Sequence, residues 1–134
     1  GPEYTSLLRT IREKRLDENI YLTGYLSEEQ KISVMKSSKL FIFPSIEEGW
    51  GIAVSEAMAC GLAVVCYDLE AYQVFGDGII KVPLRNKETM VTAIHDLLID
   101  ENKQQDAGLR AEKAARKFNW DSIAWNELQE IIKN

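Results

Sequence analysis

The chain has 134 residues, which suits one domain with a sizeable core, and 46% of them are apolar, which argues against disorder. Its net charge of −5 and its lack of a basic block argue against nucleic acid as a partner. No apolar run approaches the roughly 20 residues of a membrane-spanning helix, and no signal peptide precedes the first predicted helix. We therefore expect a cytoplasmic protein, at most peripheral to a membrane as part of a longer polypeptide.

The first third of the chain is predicted to contain two helices and a short strand. Apolar residues at helical spacing predict a helix over residues 5–14. The run Ile20–Thr23 predicts the strand, which a glycine ends. Ser27 and Gln30 have the spacing of a capping box, which predicts a second helix through about Lys36.

A strand, a glycine-rich segment and a short helix are predicted next. The apolar run Leu40–Phe43 predicts a buried strand. A helix is predicted from near Gly51 to Cys60, and Gly61 is suited to the position just after its C-cap. The apolar residues of this helix, Ile52 among them, are expected to pack on the sheet.

The second half of the chain continues the alternation of strands and helices. Ala63–Tyr67 is continuously apolar, as central parallel strands tend to be, and Ile79–Val82 predicts a further strand. Asn86 is expected to cap a helix, and two more helices are predicted over about Lys103–Lys117 and Asp121–Ile132. This order predicts an α/β fold with a doubly wound parallel sheet, followed by C-terminal helices, in a single domain over 1–134.

The glycine-rich segment is the candidate binding site, because ligands of such sheets bind at the carboxyl ends of the strands. The start of the following helix offers free backbone N–H groups and a positive dipole end to an anion. Two carboxylates, Glu48 and Glu56, are expected near it. They are poor phosphate ligands but good acceptors for sugar hydroxyls. A nucleotide sugar meets both demands, although each acid taken singly is equally compatible with a solvated surface position.

The spacing Glu48-x7-Glu56, with Gly-Trp-Gly inside it and Glu-Ala-Met-Ala-Cys-Gly at its end, resembles the signature of the retaining glycosyltransferases of family 4 (group 1). These enzymes have the GT-B fold, in which the donor-binding domain is Rossmann-like. Further segments resemble other elements of the family, so that the resemblance spans nearly the whole chain; they are Gly1–Tyr4, Ile20–Ser27 and Lys117–Asp121.

The resemblance implies transfer of a hexose from a nucleotide diphosphate sugar to a saccharide or lipid-linked acceptor, with retention of configuration. It implies that Glu48 contacts the transferred sugar and is the catalytic residue, and that Glu56 accepts from the ribose hydroxyls. The remaining donor-binding residues it implies are Gly24, Tyr25 and Leu26 for the base, and Gly49, Trp50, Gly51 and Ile52 for the diphosphate and sugar. No metal and no cofactor are expected, and Cys60 and Cys66 are expected to be free thiols.

Members of the family also carry an Arg and a Lys on an earlier segment of the same domain, and a separate acceptor domain. The sequence contains neither that earlier segment nor an acceptor domain. We therefore expect it to be the later part of a donor-binding domain that is inactive without its N-terminal domain. Apolar surface left uncovered is expected to cause self-association. Two alternatives stay open: a non-catalytic half-domain completed by a partner chain, and another GT-B enzyme that acts on sugar nucleotides, such as an epimerase.

Overall fold

The computed structural model describes residues 2–118 and divides the chain into two compact units, Gly1–Ile32 and Ser33–Asn134. The predicted helix Asp121–Ile132 lies outside the described residues.

The first unit contains two helices, α1 (Tyr4–Glu13) and the start of α2 (Glu28–Ser37). The predicted capping box forms at the start of α2. The Ser27 backbone N–H donates to Gln30 Oε1 at 3.0 Å, and the Gln30 N–H donates to Ser27 Oγ at 3.3 Å. Both predicted helices are confirmed, with ends shifted by about one residue.

The predicted strand Ile20–Thr23 is wrong, because these residues adopt no regular structure. A strand needs a neighbouring strand to pair its backbone N–H and C=O groups. Within residues 2–118 the sheet contains three strands, and none of them pairs with this segment. Three of its four residues are accordingly exposed, and Tyr21 has 80% of its surface accessible.

The second unit is built on a parallel sheet of three strands in the order β1 (Leu40–Phe43), β2 (Ala63–Tyr67), β3 (Ile80–Val82). The register pairs Phe43 with Cys66 and Tyr67 with Val82, so the three carboxyl ends lie at one edge. Every residue of β2 is buried, as its continuous apolar run predicts. β1 is only partly buried, because it is an edge strand of the described sheet.

Helices cover both faces of this sheet, which confirms the doubly wound α/β prediction. The remaining elements are α3 (Ile52–Ala59), a 3₁₀ helix (Glu70–Phe75), α4 (Lys87–Ile99) and α5 (Glu101–Ala115). On one face of β2, Val64 and Cys66 pack with residues of α3, the 3₁₀ helix and α5. On the other face, Val65 and Tyr67 pack with residues of α4.

The ends of the helices follow their sequence signals. Asn86 Oδ1 accepts from the Thr89 N–H at 3.0 Å, which confirms the predicted cap of α4. Gly61 has φ of 75° just after α3, and its N–H donates to the Met58 carbonyl at 2.9 Å. α5 begins two residues before its predicted start, because the Asp100 side chain caps it by accepting from the Lys103 N–H.

None of the helices within residues 2–118 has the length and apolar character needed to cross a membrane.

Candidate functional site

The candidate site is the segment 44–51, which joins the carboxyl end of β1 to α3. Ser45 Oγ donates to the Glu47 carbonyl at 2.9 Å and closes a local turn. Gly51 follows with φ of 94°, in the left-handed region, and its carbonyl accepts the first helical hydrogen bond from Ser55 N–H at 3.0 Å. The predicted start of the helix is therefore confirmed, and Gly51 is its N-cap.

The N-terminus of α3 is not capped by a side chain, and its first turn contains no acidic residue. The first N–H groups of a helix have no acceptor within the helix, and the helix dipole adds partial positive charge there. Ile52 begins the helix and is 65% exposed, so the prediction that its side chain packs on the sheet is wrong. The arrangement is suited to binding an anion at the residues proposed for the diphosphate.

The loop after β2 packs directly against this segment. A Cβ on Gly51 would lie 2.7 Å from Tyr72 Cε1 and 3.4 Å from Phe75 Cε2, so the 3₁₀ helix approaches the Gly51 backbone closely. Gly51 is thus required by its backbone angle and by the space around it. The segments that follow β1 and β2 are therefore neighbours.

The side chain of Trp50 points into the core and anchors the segment. Its ring centroid lies 5.4 Å from that of Phe75 and 5.4 Å from that of Phe118, at interplanar angles of 74° and 88°. Edge-to-face pairs of this kind stabilise aromatic clusters beyond the area they bury. The Trp50 side chain therefore has a packing role, which does not depend on the role proposed for its backbone N–H.

The two carboxylates occupy different positions relative to α3. Glu48 lies in the segment before the helix, is half-buried, and within residues 2–118 its carboxylate has no hydrogen bond or ion pair. Glu56 is also half-buried and follows Ile52 by four residues, so the two share one face of the helix. Both acids thus belong to the end of the sheet where the predicted site lies.

Tyr72 is a candidate residue that the sequence analysis missed. Its side chain is fully buried, and its hydroxyl has no hydrogen-bond partner within the described residues. A buried polar group without a partner costs about 1–3 kcal/mol. Burial raises the pKa of Tyr72, and the negative charge of Glu48 raises it further. No sequence signal identifies Tyr72, because the residue that its ring packs against, Gly51, lies in another segment of the chain.

A short polar network fixes the 3₁₀ helix at the ends of β2 and β3. Gln73 Nε2 donates to Asp68 Oδ1 at 3.0 Å, and Lys81 Nζ donates to Gln73 Oε1 at 3.1 Å. The Asp68 N–H also donates to the Val82 carbonyl at 2.7 Å. These bonds link the 3₁₀ helix that carries Tyr72 to the ends of β2 and β3.

The two cysteines are free thiols, as predicted. Burial raises the pKa of the Cys66 thiol to about 12, an effect that Lys81 opposes and Asp68 reinforces. In the part of the chain that the structure describes, no three His, Cys, Asp or Glu side chains are grouped to hold a metal ion. The expectation that the reaction needs no metal stays a prediction.

The residues predicted to hold the base belong to the first unit. Gly24 has φ of 66°, Tyr25 is 95% exposed, and Leu26 is half-buried. Their contact with a base stays a prediction, as do the roles of Glu48 and Glu56.

A separate cavity of about 300 Å³ lies between β3, α4 and α5. Among the charged residues that line it, Arg110 and Asp106 form an ion pair at 3.2 Å. The cavity is on the α4 side of the sheet and is not the candidate site.

Comparison with known proteins gives a consistent result. The family model described as glycosyl transferases group 1 matches residues 1–114. The chain is 30% identical, over 94% of its length and 35% of the relative, to the N-acetylgalactosamine-N,N'-diacetylbacillosaminyl-diphospho-undecaprenol 4-alpha-N-acetylgalactosaminyltransferase of Campylobacter jejuni. It is 28% identical to the O-antigen chain mannosyltransferase B of Escherichia coli, over 74% of this chain and 26% of that one.

Its fold is similar to that of sucrose-phosphate synthase from Thermosynechococcus elongatus, with a TM-score of 0.88 at 23% identity. That match covers 99% of this chain and 34% of the synthase. The chain thus spans about a quarter to a third of the length of each of these relatives.

Proposed function

The chain belongs to the glycosyl transferases group 1 family, and from this premise we propose that it forms the donor-binding part of a hexosyltransferase. The donor is a nucleotide diphosphate sugar, the acceptor is a saccharide or a lipid-linked saccharide, and the configuration of the transferred sugar is retained. Retention and the donor class rest on the family pattern Glu48-x7-Glu56. We propose that this chain is part of a longer protein, which also contains the acceptor domain.

One observation carries this proposal: the uncapped start of α3 follows a left-handed Gly51, with Glu48 just before it and Glu56 in its second turn. A diphosphate at the start of α3 would accept from backbone N–H groups of Gly49, Trp50, Gly51 and Ile52. The carboxylates would then accept from hydroxyl groups on either side of the diphosphate, which suits a sugar nucleotide better than a simple phosphate ester.

The roles of the two acids differ in this arrangement. Glu48 accepts from hydroxyl groups of the hexose that is transferred, and it acts where positive charge develops on the sugar. Glu56 accepts from the ribose hydroxyls and therefore contributes to nucleotide affinity. The backbone of Gly24, Tyr25 and Leu26 holds the base.

Departure of the diphosphate dominates the barrier, so the main catalytic task is to stabilise its developing negative charge. The N–H groups at the start of α3 perform part of this task without a divalent metal. Residues 44–59 contain no Arg or Lys, so basic side chains for the diphosphate come from another segment.

Calorimetric titration of UDP-, GDP- and ADP-hexoses into the longest native polypeptide that contains this sequence tests the proposal. We expect one base to bind with micromolar affinity, and Glu56→Ala to weaken that binding by at least tenfold, since a lost hydrogen bond to a charged group is worth about 1.5–3 kcal/mol. Glu112→Ala is the control, because Glu112 lies on α5 and pairs with Arg116. Unchanged affinity in Glu56→Ala would exclude the ribose role.

A further inference from the structure

The Tyr72 hydroxyl is placed at the candidate site but has no role in the function proposed so far. The ring packs over Gly51, where a Cβ would lie 2.7 Å from Cε1, and its centroid is 6.1 Å from that of Phe75. The side chain is 0% exposed, and within residues 2–118 its hydroxyl has no hydrogen-bond partner. Native structures rarely leave a buried polar group of this kind without a partner.

The acceptor that suits this hydroxyl is the carboxylate of Glu48. A phenol donates one hydrogen bond, and an ionised carboxylate is the strongest acceptor available in a protein. Burial raises the pKa of Tyr72, and the negative charge of Glu48 adds to that rise. The Glu48 carboxylate also makes no hydrogen bond or ion pair with the described residues. Each group therefore lacks the partner that the other could supply.

We propose that Tyr72 is a positioning residue of the donor site, whose hydroxyl donates a hydrogen bond to the Glu48 carboxylate when the donor occupies the start of α3. This inference rests on the proposed function. The bond fixes one carboxylate oxygen and directs the other to the hydroxyl groups of the transferred hexose. Tyr72 acts through Glu48 and has no contact with the donor itself.

The location of Tyr72 explains how such a bond acts on the segment 44–51. The ring packs against Gly51, and the bonds among Asp68, Gln73 and Lys81 link the 3₁₀ helix that carries it to the ends of β2 and β3. The hydroxyl thus belongs to a fully buried side chain, whereas Glu48 lies in a loop. A hydrogen bond from outside the loop would hold the Glu48 carboxylate in position. This matters because small displacements of a catalytic group lower the reaction rate strongly.

Tyr72→Phe tests the proposal, because it removes the hydroxyl and keeps the ring on Gly51. The assay uses the longest native polypeptide and the nucleotide hexose that it turns over fastest from a UDP, GDP and ADP panel. We expect kcat to fall by about tenfold to a hundredfold, while the Kd of the free nucleoside diphosphate stays within about twofold. The melting temperature is expected to stay within about 2 °C of the wild type or to rise.

Tyr67→Phe is the matched control, since Tyr67 is a buried tyrosine that packs on the opposite face of the sheet. It is expected to leave kcat unchanged. The second control is the double variant Glu48→Ala/Tyr72→Phe, which should be no slower than Glu48→Ala alone, because Tyr72 acts only through Glu48.

The outcomes separate this inference from the function on which it rests. If the wild type transfers hexose and Glu48→Ala is impaired, but Tyr72→Phe has full kcat, the role of Tyr72 is overturned and the proposed function stands. A further loss of kcat from Tyr72→Phe in the Glu48→Ala background overturns it as well. If the wild type transfers no hexose from any donor of the panel, the proposed function fails and the inference fails with it.

Discussion

The ring of Tyr72 occupies the space that a side chain on Gly51 would need, with Cε1 only 2.7 Å from the position of a Cβ. This contact joins the segment after β1 to the 3₁₀ helix after β2, although Gly51 and Tyr72 are 21 residues apart in the chain. It also shows why the N-cap of α3 must be a glycine: the residue has a left-handed φ of 94° and no room for a methyl group.

Gly51→Ala is therefore expected to destabilise the protein. The left-handed conformation alone costs an alanine about 1–2 kcal/mol, and displacement of the Tyr72 ring adds to this. Urea unfolding followed by tryptophan fluorescence measures the effect. Gly49→Ala is the matched control, because Gly49 has open space around it, and the expected change is within about 0.5 kcal/mol. Equal losses in the two variants would contradict the packing argument.

Glu48→Ala is expected to lower turnover far more than nucleotide binding. We expect kcat to fall by about a hundredfold, which is typical when one electrostatic contact to the transition state is removed. The Kd of the free nucleoside diphosphate should change little, because Glu48 is assigned to the sugar. Steady-state kinetics and calorimetry on the same preparation separate the two effects. Glu47→Ala is the control, since Glu47 is an exposed neighbour. A parallel loss of binding and turnover would argue against separate roles for the two acids.

Transferase activity is expected to survive thorough treatment with EDTA, because in the proposed mechanism the N–H groups of α3 and basic side chains stabilise the leaving diphosphate. The same protein dialysed without EDTA is the reference. Loss of activity that Mg²⁺ or Mn²⁺ restores would contradict the proposed mechanism.

The elements that sequence analysis predicts well are those with local signals. Continuous apolar residues mark β2, which is buried throughout, and the side chains of Ser27 and Asn86 form the predicted caps. Gly61 ends α3 in the left-handed conformation that its position predicts. At these caps the residues that carry the signal also make the interaction, within four positions along the chain.

Features that depend on distant partners could not be predicted in this way. The pattern of Ile20–Thr23 is that of a strand, but a strand forms only where another strand pairs with it. The apolar pattern of α3 does not reveal that Ile52 lies on the exposed side. The buried hydroxyl of Tyr72 is the clearest example, because it becomes visible only when the loops after β1 and β2 are brought together.

Self-association of the 134-residue chain is expected, because α4 exposes apolar side chains to solvent. Val91 is 64% exposed, and Leu98 is 54% exposed. Val91→Glu/Leu98→Glu should shift the mass measured by light scattering towards that of the monomer. Thr92→Glu/Gln105→Glu adds the same charge at exposed polar positions and should leave the mass unchanged. A wild-type mass that equals the monomer at all concentrations would count against this prediction.

Stability is expected to fall at alkaline pH because of Cys66. Burial raises the pKa of its thiol from 9.0 to about 12, with Lys81 opposing the rise and Asp68 adding to it. Between these values the unfolded chain has lost the thiol proton, whereas the native chain keeps it. The native state then binds more protons, so the free energy of unfolding falls as the pH rises from about 9 to about 12.

Urea unfolding at a series of pH values measures this slope. Cys66→Ala lowers stability at neutral pH by removing buried atoms, but it should make the alkaline slope shallower by up to about 1.4 kcal/mol per pH unit, the contribution of one proton. The slope that remains in Cys66→Ala includes the contribution of Tyr72, whose pKa is also raised by burial. Only a group whose pKa differs between the native and unfolded states can make the free energy of unfolding fall with pH. If Cys66→Ala kept the wild-type slope, a group other than Cys66 would therefore have to cause the fall.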